Sequence, residues 1–162
     1  MALSSSRSLD AAPQQVFEAL TSQANAQAVA DRVGGGLLEH TITDSGDART
    51  TVTVFSLPSD RLPDVVAKMM SNGVVITLEE GWGAAAADGS RVSTVNATVK
   101  GVPVKVSGQE TLAAEGTGTV LTLAGEVTSS IPFLGGKISK AAEPMVDRLL
   151  AVRCQAAEAQ LS

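Results

Sequence analysis

Apolar and polar residues alternate along most of the chain between residues 37 and 127. Alternation at a period of two places successive side chains on opposite faces of an extended backbone, so it predicts half-buried strands. Residues 3–9, at the start of the chain, are also predicted to form a strand. The predicted strands are residues 3–9, 37–43, 50–57, 74–82, 91–99, 102–112 and 118–127.

The segments between most of these strands are short and carry glycine, aspartate or both. They fall at residues 44–47, 88–90, 100–101 and 115–116. Such residues favour tight turns. Because parallel strands need a crossover of about a dozen residues or more, strands joined by these turns are expected to pair antiparallel.

Helical spacing of apolar residues interrupts the strands early in the chain. Residues 13–20 predict a first helix that Asp10 is expected to cap. Ser22 is expected to cap a second helix, which ends at the glycines of residues 34–36. Residues 57–72, between the third and fourth strands, suggest a further short helix.

The C-terminal segment predicts a long amphipathic helix. Burying four of its large apolar residues contributes about 10 kcal/mol, more than the ~3 kcal/mol that Pro144 costs inside a helix. A kinked helix is therefore expected, the alternative being a break at Glu143 with Pro144 opening a second helix. Polar residues, Arg153 among them, occupy the positions between the apolar ones, which are Ile131, Leu134, Ile138, Ala141, Ala142, Met145, Leu149, Val152 and Ala156.

Composition excludes several classes of function. The formal charge is −5 and the basic residues are scattered, which argues against a nucleic-acid partner. A single cysteine, Cys154, excludes an internal disulfide and a cysteine metal cluster. No stretch approaches the ~20 apolar residues of a transmembrane helix, and no signal peptide is apparent. A cytoplasmic protein without metal or cofactor is expected.

Two short motifs and the order of the elements resemble a known superfamily. The motifs are Ile131-Pro132-Phe133-Leu134-Gly135-Gly136-Lys137 before the last helix and Leu78-Glu79-Glu80-Gly81-Trp82 in the fourth strand. The chain resembles the START/SRPBCC superfamily, which includes the birch-pollen allergen family, lipid-transfer domains and polyketide cyclases, and is similar to a bacterial branch of unknown function.

The resemblance implies an α+β helix-grip fold in a single domain over residues 1–162. A seven-stranded curved antiparallel sheet would wrap around the C-terminal helix, with two short helices after the first strand. A hydrophobic cavity would lie between sheet and helix. The superfamily has no shared catalytic motif, so the resemblance implies no catalytic residue.

Apolar alternation assigns one face of each strand to the interior. The strand at 50–57 stays ambiguous, because Val52 and Val54 oppose Phe55 and Leu57. The residues expected to line the cavity are Leu38, Ile42, Phe55, Ile76, Leu78, Trp82, Val95, Val104, Val106, Leu121, Leu123, Phe133, Ile138, Met145 and Leu149.

Three polar residues share this inner face: His40, Glu80 and Glu110. A cavity carboxylate with a raised pKa could transfer protons, with the histidine as its partner. Alternatively the three lie at the cavity mouth, where water or a cationic side chain satisfies them. One histidine lacks the further ligands that a zinc site requires.

Three functions follow from these observations. The first is the binding of a small hydrophobic ligand, such as a lipid, polyketide or terpenoid, between the sheet and the last helix. The second is a cyclase-type or hydrolase-type enzyme that uses His40, Glu80 or Glu110. The third is a non-catalytic domain that binds another protein, which would require a fully packed interior and an exposed apolar patch.

Overall fold

The computed structural model describes residues 2–130 and 135–161. Its strands are β1 (Ala2–Leu9), β2 (Gly36–Ser45), β3 (Ala48–Leu57), β4 (Val74–Trp82), β5 (Arg91–Val99), β6 (Val102–Glu115) and β7 (Gly118–Ser129). Its helices are α1 (Pro13–Leu20), α2 (Gln23–Arg32), α3 (Asp64–Ala67) and α4 (Gly135–Leu161), with a short 3₁₀ helix at Ser59–Arg61.

The strands form one antiparallel sheet in the order β1-β7-β6-β5-β4-β3-β2. The predicted antiparallel pairing is confirmed, and β4 and β5 have the predicted bounds. β6 and β7 continue beyond their predicted ends, to Glu115 and Ser129. Both extensions pair with a neighbouring strand, which keeps the backbone extended where the alternation of side chains has ended.

The first two helices begin differently. The prediction that Asp10 caps α1 is wrong: the helix starts at Pro13, and the amide of Ala12 donates to Gln15 Oε1 at 3.3 Å. Proline suits this first position because its fixed φ is already helical. Ser22 caps α2 as predicted, its Oγ accepting from the Asn25 amide at 3.1 Å.

Helix α4 runs without a break through Pro144, so the alternative of two helices is wrong. Its inward face differs from the prediction near the C-terminus. Arg153 and Leu150 are buried, whereas Val152 is only half-buried. Residues 131–134 of the predicted stripe lie outside the described residues. No helix in the described part of the chain is long and apolar enough to span a membrane.

Strand β2 is an edge strand with a β-bulge, and this changes two predicted positions. The pairing with β3 shifts between Leu37 and Glu39, so Leu38 has no partner and is 58% exposed. Ile42 lies farther along the same edge and is 41% exposed. The prediction that Leu38 and Ile42 line a cavity is therefore wrong. A bulge inserts a residue that regular alternation does not reveal.

The interior beneath α4 has two different ends. At one end Phe17 of α1 packs edge-on against Trp82, with ring centroids 5.7 Å apart. Leu112, Leu121 and Leu150 complete this aromatic end. At the other end the buried residues are almost all aliphatic: they include Val102, Val104, Val127, Ile138, Leu57 and Val74, with Phe55 the aromatic exception.

Two glycines face each other where β6 and β7 approach closely. A Cβ on Gly108 would lie 2.3 Å from the carbonyl oxygen of Ala124, and one on Gly125 would lie 2.4 Å from that of Ser107. Gly108 pairs with Gly125 in the β6–β7 register. No side chain fits at either position, because the backbone of the neighbouring strand lies too close.

Substituting Gly125→Ala is expected to destabilise the fold by about 1–3 kcal/mol, because the new methyl group forces two strand backbones apart. Urea denaturation measures the change. Gly136→Ala is the control: a Cβ there meets no atom within 4 Å, and alanine favours a helix. Equal effects of the two substitutions would contradict the role given to the glycine pair.

Candidate functional site

A cavity of about 170 Å³ lies between α4 and the aliphatic end of the sheet. An apolar cavity of about 150 Å³ is large enough to bind benzene. The wall is apolar apart from two exposed arginines. It is lined by Val33, Phe55, Leu57, Arg61, Ile76, Ala97, Val99, Val104, Val106, Ala142, Met145, Val146, Arg148 and Leu149.

Six of the predicted cavity residues lie on this wall: Phe55, Ile76, Val104, Val106, Met145 and Leu149. Leu78, Val95 and Leu123 instead line a separate void of about 60 Å³ that shares Val106 and Leu149 with the cavity.

Three predicted residues, Trp82, Leu121 and Ile138, are packed in the core and lie on none of these walls. Phe133 is outside the described residues. The ambiguity at strand β3 is settled by burial, since Phe55 and Leu57 face inward and Val52 and Val54 do not.

Several residues of the wall were not predicted. Val146 belongs to an inward face of α4 that also includes Leu150 and Arg153, at spacings of four and three. This helical spacing is visible in the sequence, but a face that includes an arginine is ordinarily assigned to solvent. Val33 is an inward position of the predicted second helix that was not assigned to the cavity, and Arg61 ends a 3₁₀ helix that is too short to show a periodicity.

Beside the smaller void, Arg153 of α4 lies between two inward-facing glutamates. Its Nη1 donates to Glu110 Oε2 at 2.9 Å, and its Nη2 donates to both oxygens of Glu80 at 3.1 and 3.0 Å. All three side chains are buried, with Glu110 0% exposed. The sequence left two interpretations of Glu80 and Glu110: proton transfer, or neutralisation by a cationic side chain or water at the cavity mouth. The contacts agree with neutralisation by a cationic side chain. The cluster is nevertheless buried in the interior and does not lie at the mouth.

The pKa values of the two carboxyl groups are shifted in opposite directions. Burial raises the pKa of Glu110 well above its usual 4.5; Arg153 opposes this shift, and the nearby Glu80 adds to it. Burial acts in the same direction on Glu80, but Arg153 and the hydrogen bonds outweigh it, so the pKa of Glu80 lies below 4.5.

The hydrogen bonds agree with this difference. As a carboxylate, Glu110 Oε1 has no hydrogen-bond donor among the described residues. As an acid it has a proton to offer the Glu80 carboxylate, and this interaction contributes to the opposite pKa shifts of the two groups. The cluster then carries one positive and one negative charge, which is the arrangement that costs least in a buried site.

His40 lies near this cluster, but both of its ring nitrogens are occupied. Nε2 donates to the carbonyl oxygen of Thr21 at 2.9 Å, and Nδ1 is 2.8 Å from the hydroxyl of Thr53. Because a carbonyl only accepts, a neutral ring accepts the Thr53 proton at Nδ1. His40 therefore joins β2 to the C-terminal end of α1 and has no lone pair free to act as a base.

The chemistry open to this cluster is limited. Both oxygens of Glu80 accept from Arg153, and so does Oε2 of Glu110, which lies fully buried. Burial raises the pKa of the Cys154 thiol to about 11, so this cysteine is not a nucleophile at neutral pH. Among the residues that the structure describes, no three His, Cys, Asp or Glu side chains are placed to hold a metal ion.

Glu110→Gln is expected to remove a pH dependence of stability. Because folding raises the pKa of Glu110, its stabilising effect is complete below pH 4.5 and is lost as the pH rises through the raised value. The free energy of unfolding of the wild type should fall by up to about 1.4 kcal/mol per pH unit.

Urea denaturation between pH 5 and 8 measures this slope, since the lowered pKa of Glu80 affects stability only at more acidic pH. Glutamine donates to Glu80 and accepts from Arg153 as the protonated acid does, so the variant should fold and its curve should be flat. Parallel curves for wild type and variant would show that Glu110 is ionised in the native protein.

Arg153→Met is expected to cost about 3–5 kcal/mol at pH 7, because it leaves a buried carboxylate without its counter-charge. Arg148→Met is the matched control on the same helix, since this arginine is exposed and should change stability by no more than about 0.5 kcal/mol. Thermal and urea denaturation compare the two variants. A loss below about 1 kcal/mol for Arg153→Met would mean that the cluster does not hold α4 in place.

Comparison with known proteins identifies a family and a mycobacterial relative. Residues 4–161 match the family described as "Protein of unknown function (DUF2505)". An uncharacterized protein of Mycobacterium tuberculosis is 28% identical over 125 residues, which are 75% of this chain and 67% of that protein.

Solved structures share the fold at low identity. The lipid transfer and protein localization domain of human StarD13 has a TM-score of 0.61 at 12% identity, over 96% of this chain and 76% of that one. An aromatase/cyclase from a Streptomyces species has a TM-score of 0.59 at 13% identity, over 99% of this chain and 90% of that one. The predicted helix-grip fold is confirmed, and the chain belongs to the DUF2505 family.

Proposed function

We propose that the protein binds a small hydrophobic molecule in the cavity beneath α4. The observation that carries the proposal is the cavity wall, on which aliphatic side chains of the sheet face Ala142, Met145 and Leu149 of the helix. An apolar concave site of this kind binds by removing ligand surface from water. Met145 adds adaptability, because an unbranched thioether fits ligands of different shape.

The size of the cavity limits the part of the ligand that it holds. At about 170 Å³ it accepts a single ring or a short alkyl chain. A lipid, polyketide or terpenoid of greater length extends towards the mouth, where Arg61 and Arg148 are exposed. The names of the two solved structures, a lipid transfer domain and an aromatase/cyclase, support a ligand of this general class.

The alternatives have less support. An enzyme based on His40, Glu80 or Glu110 would need a group free to exchange a proton with a ligand, and each is held by its neighbours. A protein-binding domain would need a closed, packed interior, and this interior contains a cavity. Its exposed large hydrophobic residues number five among those described, and single exposed residues of this kind are normal.

Ala97→Leu is expected to abolish binding by filling the cavity with an isopropyl group. We expect 1-hexanol to bind the wild type and to bind the variant at least tenfold more weakly, a loss of about 1.4 kcal/mol. Titration followed by methyl NMR signals of Val106 and Leu149 measures both affinities. Stability should be unchanged or higher, since the added carbon atoms fill a void.

Ala124→Leu is the matched control, because Ala124 is exposed on the opposite face of the sheet. It should bind 1-hexanol as the wild type does. If the wild type shows no saturable shifts, or if both variants bind equally well, the cavity is not the binding site.

A further inference from the structure

The mouth of the cavity contains two arginines, Arg61 after β3 and Arg148 on α4. Both are exposed on an otherwise apolar wall. Within residues 2–130 and 135–161, neither guanidinium has an ion pair or a hydrogen bond to another side chain or to the backbone. Their donors are therefore available to a bound molecule.

Most other arginines of this chain have a carboxylate partner. Arg7, Arg49, Arg91 and Arg153 each form an ion pair in the described structure. Acidic residues are also in excess, at 17 against 12 lysines and arginines. The two arginines at the mouth therefore lack partners in a chain where such partners are abundant. The remaining arginine, Arg32, is not on the cavity wall.

A glycine leaves room for Arg61 at the rim of the cavity. A Cβ on Gly34 would lie 2.8 Å from Arg61 Nε and 3.1 Å from its Cζ, so the guanidinium lies directly against this bare backbone. Gly34 follows the C-terminus of α2, where the helix dipole favours a cation. It also adjoins Val33 of the cavity wall. The charge of Arg61 is thus held at the rim.

We propose that the natural ligand is an amphiphile with an oxyanion at one end, such as a carboxylate or a phosphate monoester. Its apolar part fills the cavity, and its anionic group binds Arg61 and Arg148 at the mouth. A guanidinium matches either oxyanion with paired hydrogen bonds. This inference rests on the proposed function, because it assumes that the cavity holds the apolar part.

The test compares four ligands with the same alkyl chain: hexanoate, hexyl phosphate, 1-hexanol and hexylammonium. Methyl NMR titration at low salt should show the anions binding about threefold to tenfold more tightly than 1-hexanol, and the ammonium most weakly. Added salt should weaken the binding of hexanoate and hexyl phosphate and should leave the binding of 1-hexanol unchanged. The ratio of hexanoate to hexyl phosphate affinity distinguishes a carboxylic acid from a phosphate ester as the natural type of ligand.

Arg61→Gln and Arg148→Gln should each reduce the preference for the anions over 1-hexanol, and the double variant should remove this preference. Arg32→Gln is the control and should leave all four affinities unchanged. Equal binding of hexanoate and 1-hexanol by the wild type would overturn the inference and leave the proposed function standing. No binding of any of the four would overturn both.

Discussion

The position of α4 depends on one buried ionic interaction, in which Arg153 binds Glu80 of β4 and Glu110 of β6. A guanidinium in the interior must meet its counter-charges, because an unpaired buried charge costs several kcal/mol. Sliding or rotating the helix would break these bonds. Leu149 and Met145 lie one and two turns before Arg153 on the same side of the helix, so the contact that fixes the arginine also fixes the cavity wall.

Apolar residues of similar volume often stabilise a fold as well as a buried ion pair does. Apolar contacts are not directional, however. The hydrogen bonds of Arg153 to Glu80 and Glu110 are directional, so they favour one position of the helix along the sheet. The raised pKa of Glu110 and the lowered pKa of Glu80 favour the acid form of the first and the carboxylate of the second, and in that combination the total charge of the cluster is zero. The result is a helix set at one height above the sheet, with space left beneath it.

Much of the fold could be predicted because its signals are local. Turn residues and alternation gave β4 and β5 their bounds, and the serine that caps α2 is a neighbour of the helix it caps. The bulge at Leu38 leaves no such signal. The inward face of Arg153 could not be predicted either, since its partners are 43 and 73 residues away and a charged residue is usually exposed. Glu80 and Glu110, both assigned to the inner face, were the sequence feature that indicated a buried cation, because two buried carboxyl groups need a counter-charge.

The cavity follows from how few aromatic residues the chain contains. They make up 2% of it, and Phe17 and Trp82 are both packed at one end of the interior. Aliphatic side chains at the other end leave about 170 Å³ unfilled. A larger residue at Ala97 or Ala142 would fill this space and bury more apolar surface. A void that one substitution would close is best explained by an occupant.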